Sequence, residues 1–404
     1  MLGSRKVTVL GGDKFRDEYS LAFDGTDDEL DCGDISVFDG LSDFSISTWI
    51  KVDASATGTN PILSKGSYNA DGAAFHLKYN PDSSSGRVSF SVEKNSDESD
   101  GEGIYGYKNS LGTYLDGKWA HLTVSYSNTN NSLIFYINGV EIANYTEGST
   151  DTMSSASGTF IDIPTQSSRV QIASGFNGNI SEMATYNIAL TQAQVKDIYN
   201  GQEPYNHKEG IASGNLLTWW RMGDGLLDAK NSSDFDAGII NNEVTVSLGS
   251  DLFGGKGDMS DASYWTEVGA TDKIVFADGV CKFLASDNGT DNMSLKKNGI
   301  MTVDKVYRLD ITITANEHVN NILLINFSDP YINITNTGAA NPGDYTIYFR
   351  AESANFELYR WYSDSSQDTS KYIYFDNALL REVTGNAHCI MKNMSEGDFE
   401  GDTP

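Results

Sequence analysis

Apolar and polar positions alternate along most of this chain. Between Phe44 and Val52, the residues Phe44, Ile46, Thr48, Ile50 and Val52 fall on one face, and Ser45, Ser47, Trp49 and Lys51 on the other. That is the period of two that a half-buried strand requires. Ala120–Tyr126 and Leu133–Ile137 repeat it, with Ser127–Ser132 as the loop between them. Asn138-Gly139 then predicts a type I′ turn into Val140–Ala143, because that turn needs positive φ at both central positions. Strands with one wet face predict antiparallel sheets rather than a parallel α/β core. One helix interrupts the pattern. Thr191 can cap it, Gln192–Tyr199 puts Val195, Ile198 and Tyr199 on one side, and Asn200-Gly201 stops it. Trp49 is expected in the core, against the opposite sheet, as are Trp119 and Trp265.

The alternation also divides the chain. Residues 1–20 precede it. Residues 21–201 form a first β-rich unit. Residues 202–250 read as a linker that carries a strand with Trp219 and Trp220. A second β-rich unit spans 251–385, with clear strands at Tyr307–Ile313, Ile322–Phe327, Tyr345–Arg350, Phe356–Trp361 and Tyr372–Phe375. The remainder, 386–404, is acidic and Gly-rich, and is expected to be a flexible tail. The fold class that follows is all-β: two antiparallel β-sandwich (jelly-roll) modules in tandem.

Composition agrees with many short strands and tight turns. The 404 residues are 39% apolar, with 39 Gly and 21 Tyr. That is too long for one ordinary core and rich enough for two. The formal charge of −28 changes the functional picture more. Such a field repels phosphate backbones and anionic membrane surfaces, so nucleic acid and membrane insertion are not expected. It suits Ca²⁺, which takes hard oxygen ligands. Cys32, Cys281 and Cys389 are far apart and odd in number, so at least one is unpaired and folding is not expected to rest on a disulfide framework. Met1–Arg16 shows no apolar core of an export signal.

Several stretches, taken in order, resemble the laminin-G-like family of concanavalin-type sandwiches. They are Leu21–Asp28 (LAFDGTDD), the Phe44–Val52 strand with Trp49, Lys118–Val124 (KWAHLTV) with Phe135–Val140 (FYINGV), and Phe176–Leu190 (FNGNISEMATYNIAL) with its terminal helix. The resemblance implies a lectin-like sandwich that brings first and last strands together, with Glu182 at the family's usual acidic position. Residues 251–383 resemble a jelly-roll carbohydrate-binding module. The matching features are Gly257-Asp258, Trp265 and Phe375–Leu379 (FDNAL), although the family's opening Glu is missing. Trp219–Asp224 (WWRMGD) is similar to a strand of laminin-G-like proteins in marine phage virions. These likenesses imply a virion appendage assembled in the host cytoplasm. Its expected partners are glycans, neighbouring virion proteins and further copies of itself. Accessory glycan-binding modules of a bacterial secreted enzyme or surface adhesin are the alternative.

Candidate chemistry is sparse. Laminarinase-type hydrolases on this fold need two carboxylates about 5–5.5 Å apart on a strand. The matching E-x-D-x-E pattern is Glu396–Glu400, in the expected tail, so no catalysis is expected. The His residues form no metal-binding pattern of the H-E-x-x-H kind. The acidic loop Asp24–Asp28 is the cation candidate: Asp24, Asp27 and Asp28 can converge, and Glu182 could complete a structural Ca²⁺ site. Asp258 with Asp376 forms the parallel candidate in the second module. Aromatic faces stack on sugar rings, and two pairs are placed for it by alternation, Tyr105 with Tyr107 and Tyr359 with Trp361.

Overall fold

A computed structural model describes residues 17–66, 73–93, 103–148, 151–203, 205–225, 228–230, 238–269, 273–284, 293–316, 321–325, 332–333, 342–362, 372–394 and 398–404. Two β-sandwiches account for nearly all of it. In the first, one sheet runs in the order Val140–Thr146, Ser132–Ile137, Ala120–Ser127, Asp43–Val52, Asn177–Tyr186, Ser20–Asp24 and Phe399–Glu400, with Leu216–Trp220 also paired to Asn177–Tyr186. The facing sheet runs Ser155–Gly158, Gly103–Lys108, Arg87–Glu93, Phe75–Asn80, Asn60–Lys65, Arg169–Ile172, Glu29–Asp34, Cys389–Lys392, Gly238–Ile240 and Ala229–Lys230. Every described pairing is antiparallel apart from an isolated bridge between Val52 and Asp116. Phe44, Ile46, Ile50 and Val52 meet Phe75, Leu77, Phe90 and Val92 in one core, which is why the alternation was so regular.

The local signals hold. Asn138 and Gly139 have φ of 51° and 75°, joining Ser132–Ile137 to Val140–Thr146. The Thr191 hydroxyl accepts the Gln194 amide while the Gln194 side chain accepts the Thr191 amide, and Gln192–Tyr199 is the longest helix among the described residues. Trp49 is buried but not between the sheets. Its side chain lies on the outer face, beside His121, and Tyr199 of the helix covers it with ring centroids 5.7 Å apart. Alternation had put Trp49 on the serine face, and the helix makes that face dry. Trp119 is half-buried rather than core, with its indole N–H donated to Asp402. Trp265 is in the second core, as expected.

The second sandwich pairs Ile274–Ala277, Val280–Leu284, Tyr372–Thr384, Val306–Asn316 and Gly343–Arg350, with Ser247–Asp251 on Tyr372–Thr384. Its other sheet is Thr266–Gly269, Met293–Lys297, Phe356–Tyr362, Asn321–Ile325 and Ile332–Asn333. The two modules are not simply consecutive. After Thr384 the chain returns to the first sandwich: Cys389–Lys392 pairs with Glu29–Asp34, and Phe399–Glu400 with Ser20–Leu21. The expected tail is therefore structural where it is described, and so is the expected linker strand, since Leu216–Trp220 closes the first sheet and buries Trp219 and Trp220. The register sets Cys32 opposite Cys389, and the two form a disulfide; Cys281 is free and buried.

The modules touch through an apolar joint of Ile239 and Ile390 with Val306, Tyr348 and Val383. Beside it, Arg350 of the second module donates to the carbonyls of Asp31 and His388. Gly33, at φ 63°, makes room for it: a Cβ there would lie 2.6 Å from an Arg350 guanidinium nitrogen. No described helix is long and apolar enough to cross a membrane.

Candidate functional site

The outward side of the 10-stranded sheet in the first module carries an aromatic and polar surface. Phe75, Leu77, Tyr79, Val88, Phe90, Val92 and Ile104 face the core, so the residues between them point away from it. Registers align them in rows. Ser64, His76, Ser91, Tyr105 and Ser157 form one, and Lys78, Ser89, Tyr107 and Ser155 form the next. Tyr105 and Tyr107 are half-buried, with ring centroids 5.6 Å apart. The Arg87 guanidinium lies 4.1 Å from the Tyr107 ring centre and donates from Nε to Asn109 Oδ1 at 2.9 Å. The Lys78 ammonium is 6.0 Å from the Tyr105 ring centre. His76 is bonded to the Ser91 hydroxyl at 2.8 Å. Burial, with Lys78 adding to it, holds the imidazole down to about 3, so it is neutral at physiological pH. Ser64, Ser89 and Ser91 form a buried floor beneath the half-buried tyrosine rings. The surface thus offers aromatic faces for C–H-rich rings, with the tyrosine hydroxyls and Arg87 as donors for polar groups.

The acidic loop forms where the first strand ends. Gly25 turns at φ 80°, and a Cβ there would sit 2.8 Å from Asn177 Cβ. The turn brings carboxylate oxygens of Asp24, Asp27 and Asp28 within 4.8 Å of one another. Asp28 Oδ2 accepts the Asp24 amide at 2.9 Å, and Asp24 Oδ1 accepts the Thr26 amide at 2.7 Å. Burial, then the charges of Asp24, Asp398 and Asp27, push the Asp28 carboxyl up to about 6. Asp398 comes from the returning C-terminal segment, which also bonds the Asp27 carbonyl through Asn393 Nδ2.

Glu182 does not join this loop. Asp24 pairs with Asn177, so Glu182 lies five positions farther along, about 17 Å away at strand rise. It sits in a bulge at φ 47° and accepts from Trp219 Nε1 and from Arg221 Nε, the latter at 3.0 Å. Burial raises it to about 7 against the pull of Arg221. The acidic position of the family pattern here anchors the Trp219–Arg221 segment. Asp17 and Asp224 crowd the same spot, and burial followed by the charge of Glu182 raises Asp17 to about 9.

In the second module, the carboxylates of the expected pair serve their own turns. Asp258 Oδ1 accepts from the Ser260 amide and hydroxyl, and Asp376 Oδ1 from the Asn377 amide. The residue tying the opening segment to the closing strand is Asp251, which accepts the Phe253, Gly255 and Leu380 amides. It was not singled out in the sequence because it lies before the family's opening motif. Tyr359 is buried at 6% exposure on the side opposite Phe356 and Leu358, and the Trp361 side chain lies outside the described residues. Of the E-x-D-x-E pattern, Glu396 lies outside the described residues, Asp398 is beside Asp28, and Glu400 accepts from Asn179 Nδ2 at 2.8 Å.

Comparison with known proteins agrees with the first module. Several solved structures are similar over part of the chain, all at low identity. A SAP-like pentraxin from Limulus polyphemus is 18% identical, covers 50% of this chain and 91% of its own, and superposes with a TM-score of 0.33. Domain 4 of AbnA, an extracellular arabinanase from Geobacillus stearothermophilus in complex with arabinotriose, is 19% identical, covers 45% and 76%, and gives 0.31. The CBM40 of the Ruminococcus gnavus IT-sialidase bound to α2,3-sialyllactose is 16% identical, covers 45% and 95%, and gives 0.34. A search of curated protein sequences returns no match. Residues 24–196 match the Laminin_G_3 model of the concanavalin A-like lectin/glucanases superfamily, and the first module carries that lectin-like fold.

Proposed function

We propose that this protein is a non-catalytic glycan-binding protein that holds carbohydrate across Tyr105 and Tyr107. The observation that carries the reading is the pair itself: two half-buried rings 5.6 Å apart on an outward sheet face, flanked by Arg87. Aromatic faces spaced along a strand suit the apolar faces of consecutive sugar residues, and the tyrosine hydroxyls with Arg87 suit their polar edges. Ca²⁺ at Asp24, Asp27, Asp28 and Asp398 is proposed as a structural ion, because it would offset the burial and, after it, the repulsion from neighbouring carboxylates that raise Asp28. The proposed setting is a virion appendage, on the likeness of the Trp219–Asp224 strand. The Cys32–Cys389 disulfide favours the alternative of a secreted or surface-displayed module, since such bridges form in oxidising compartments. A glycan array with the purified chain tests the binding reading. The expected result is a defined set of bound glycans that the Tyr105→Ala/Tyr107→Ala variant no longer retains while its melting temperature stays close to the parent's. Undiminished binding by that variant would place the site elsewhere.

A further inference from the structure

We propose that the Cys32–Cys389 disulfide is the lock of the joint between the modules, closed by oxidation as the protein matures and felt by the inserted module through Arg350. The proposal goes beyond the glycan-binding reading and does not depend on it.

The joint converges on one guanidinium. Arg350 ends the Gly343–Arg350 strand of the inserted module, and its Nη1 donates to the Asp304 carbonyl of that module at 2.9 Å. Its Nη2 donates to two carbonyls of the outer module, Asp31 at 3.1 Å and His388 at 2.9 Å. Asp31 lies on the Glu29–Asp34 strand, and His388 immediately precedes the Cys389–Lys392 strand. Each acceptor is also the residue just before a bridged cysteine. One nitrogen therefore spans the same two chain segments that the disulfide ties together. The far side of each cysteine serves the joint as well. Ile390 packs against Val306, Tyr348 and Val383, and Gly33 leaves the space that Nη1 needs, where a Cβ would come within 2.6 Å.

A planar guanidinium holds its N–H bonds at fixed angles, so Nη2 reaches both carbonyls only over a narrow range of their separation. The disulfide sets that separation by fixing the residues next to them. Arg350 Nε is buried and has no hydrogen-bond partner among the described residues. If the two segments spread, a cation already short of acceptors loses another in a poorly hydrated place, which is costly. The inserted module answers by drawing away until water reaches the guanidinium, and the joint loosens without either module melting.

Closing the lock joins the two sulfurs. Their thiols give up two protons and two electrons to the disulfide of an exchange partner, which becomes a dithiol. Cys32 and Cys389 are buried, so the finished bridge is shielded from further exchange in the folded state. The joint is loose in a reducing compartment and set in an oxidising one.

Hydrogen–deuterium exchange of the full chain tests this, comparing oxidised protein with protein prepared throughout under a dithiol reductant. Cys281 is free, so the bridge is the difference between the two forms, and intact mass confirms it by the two hydrogens lost. The reporters are the Asp304 and Ala351 amides, which bond the Ala351 and Lys305 carbonyls on the inserted module's side of the joint. Both should exchange about tenfold faster in the reduced parent. Oxidised Arg350→Met should show the same rise, and reducing that variant should add nothing. Gly33→Ala, with the bridge intact, should reproduce the rise by displacing the guanidinium. Unchanged exchange at Asp304 and Ala351 in the reduced parent overturns the proposal. So does a further rise on reducing Arg350→Met, since the bridge would then act on the joint without Arg350. Should reduction unfold the outer module, the oxidised Gly33→Ala protein decides: exchange there equal to the parent's overturns the lock.

Discussion

The two sandwiches reach closure by different routes. The inserted module, 247–384, draws its sheets from one continuous stretch of chain, with Cys281 buried and free. The outer module needs both ends of the molecule: Ser20–Asp24 and Glu29–Asp34 are flanked by Phe399–Glu400 and Cys389–Lys392, and a disulfide joins residues 357 positions apart. Their aromatic pairs differ as well. Tyr105 and Tyr107 stand half-exposed on a serine floor, whereas Tyr359, with the same spacing to Trp361, is buried. An alternating aromatic pair therefore marks a strand face, and the packing on that face decides whether the pair can meet a ligand.

The difference in closure predicts the largest effect. Removing residues 386–404, or replacing Cys32 and Cys389 by Ser, should destabilise the outer module and spare the inserted one. For the bridge alone, the entropy of closing a loop of 357 positions gives an upper figure of about 6 kcal/mol. Calorimetry should show one transition moving down and the other staying; a parallel shift of both would mean that the joint at Arg350 and Ile390 couples the modules fully.

Trp49→Ala comes next, at about 3–5 kcal/mol, because a large ring is lost from beneath the helix. Its melt should lose the same transition as the cysteine variants. A change within a few degrees of the parent would mean that the helix closes over the gap.

Ca²⁺ gives a smaller and pH-dependent effect. The folded-state value of Asp28, about 6, lies above its ordinary value, so the group's contribution to stability is present at low pH and is lost as pH rises through about 6. Without added metal, the outer module should therefore melt lower at pH 7 than at pH 5 as far as this group decides. Ca²⁺ at a hundredfold excess over its dissociation constant should return about 2.7 kcal/mol. Asp28→Asn should remove both the pH effect and the Ca²⁺ effect. Identical melting of the parent in chelator and in Ca²⁺ would rule out a structural ion.

Tyr105→Ala and Tyr107→Ala should have the smallest effect on stability, under about 1 kcal/mol for half-exposed rings, while abolishing binding. A large loss of stability would make the pair a packing device of the Tyr359 kind.

Short-range features were legible in the sequence because their causes are local. The strand period, the Asn138-Gly139 turn, the Thr191 cap with Gln194, and the shared face of Tyr105 and Tyr107 all follow from residues a few positions apart. The convergence of Asp24, Asp27 and Asp28 follows from one turn at Gly25. Only the tertiary structure decided what covers each face and what closes each edge. It moved Glu182 from the acidic loop to Arg221, brought Asp398 to that loop instead, put Trp49 beneath a helix, and drew the acidic C-terminal stretch into the first sandwich. Each of these depends on register between segments far apart in sequence. Alternation says which face a side chain takes, and it carries no information about which distant strand, helix or module will come to lie against that face.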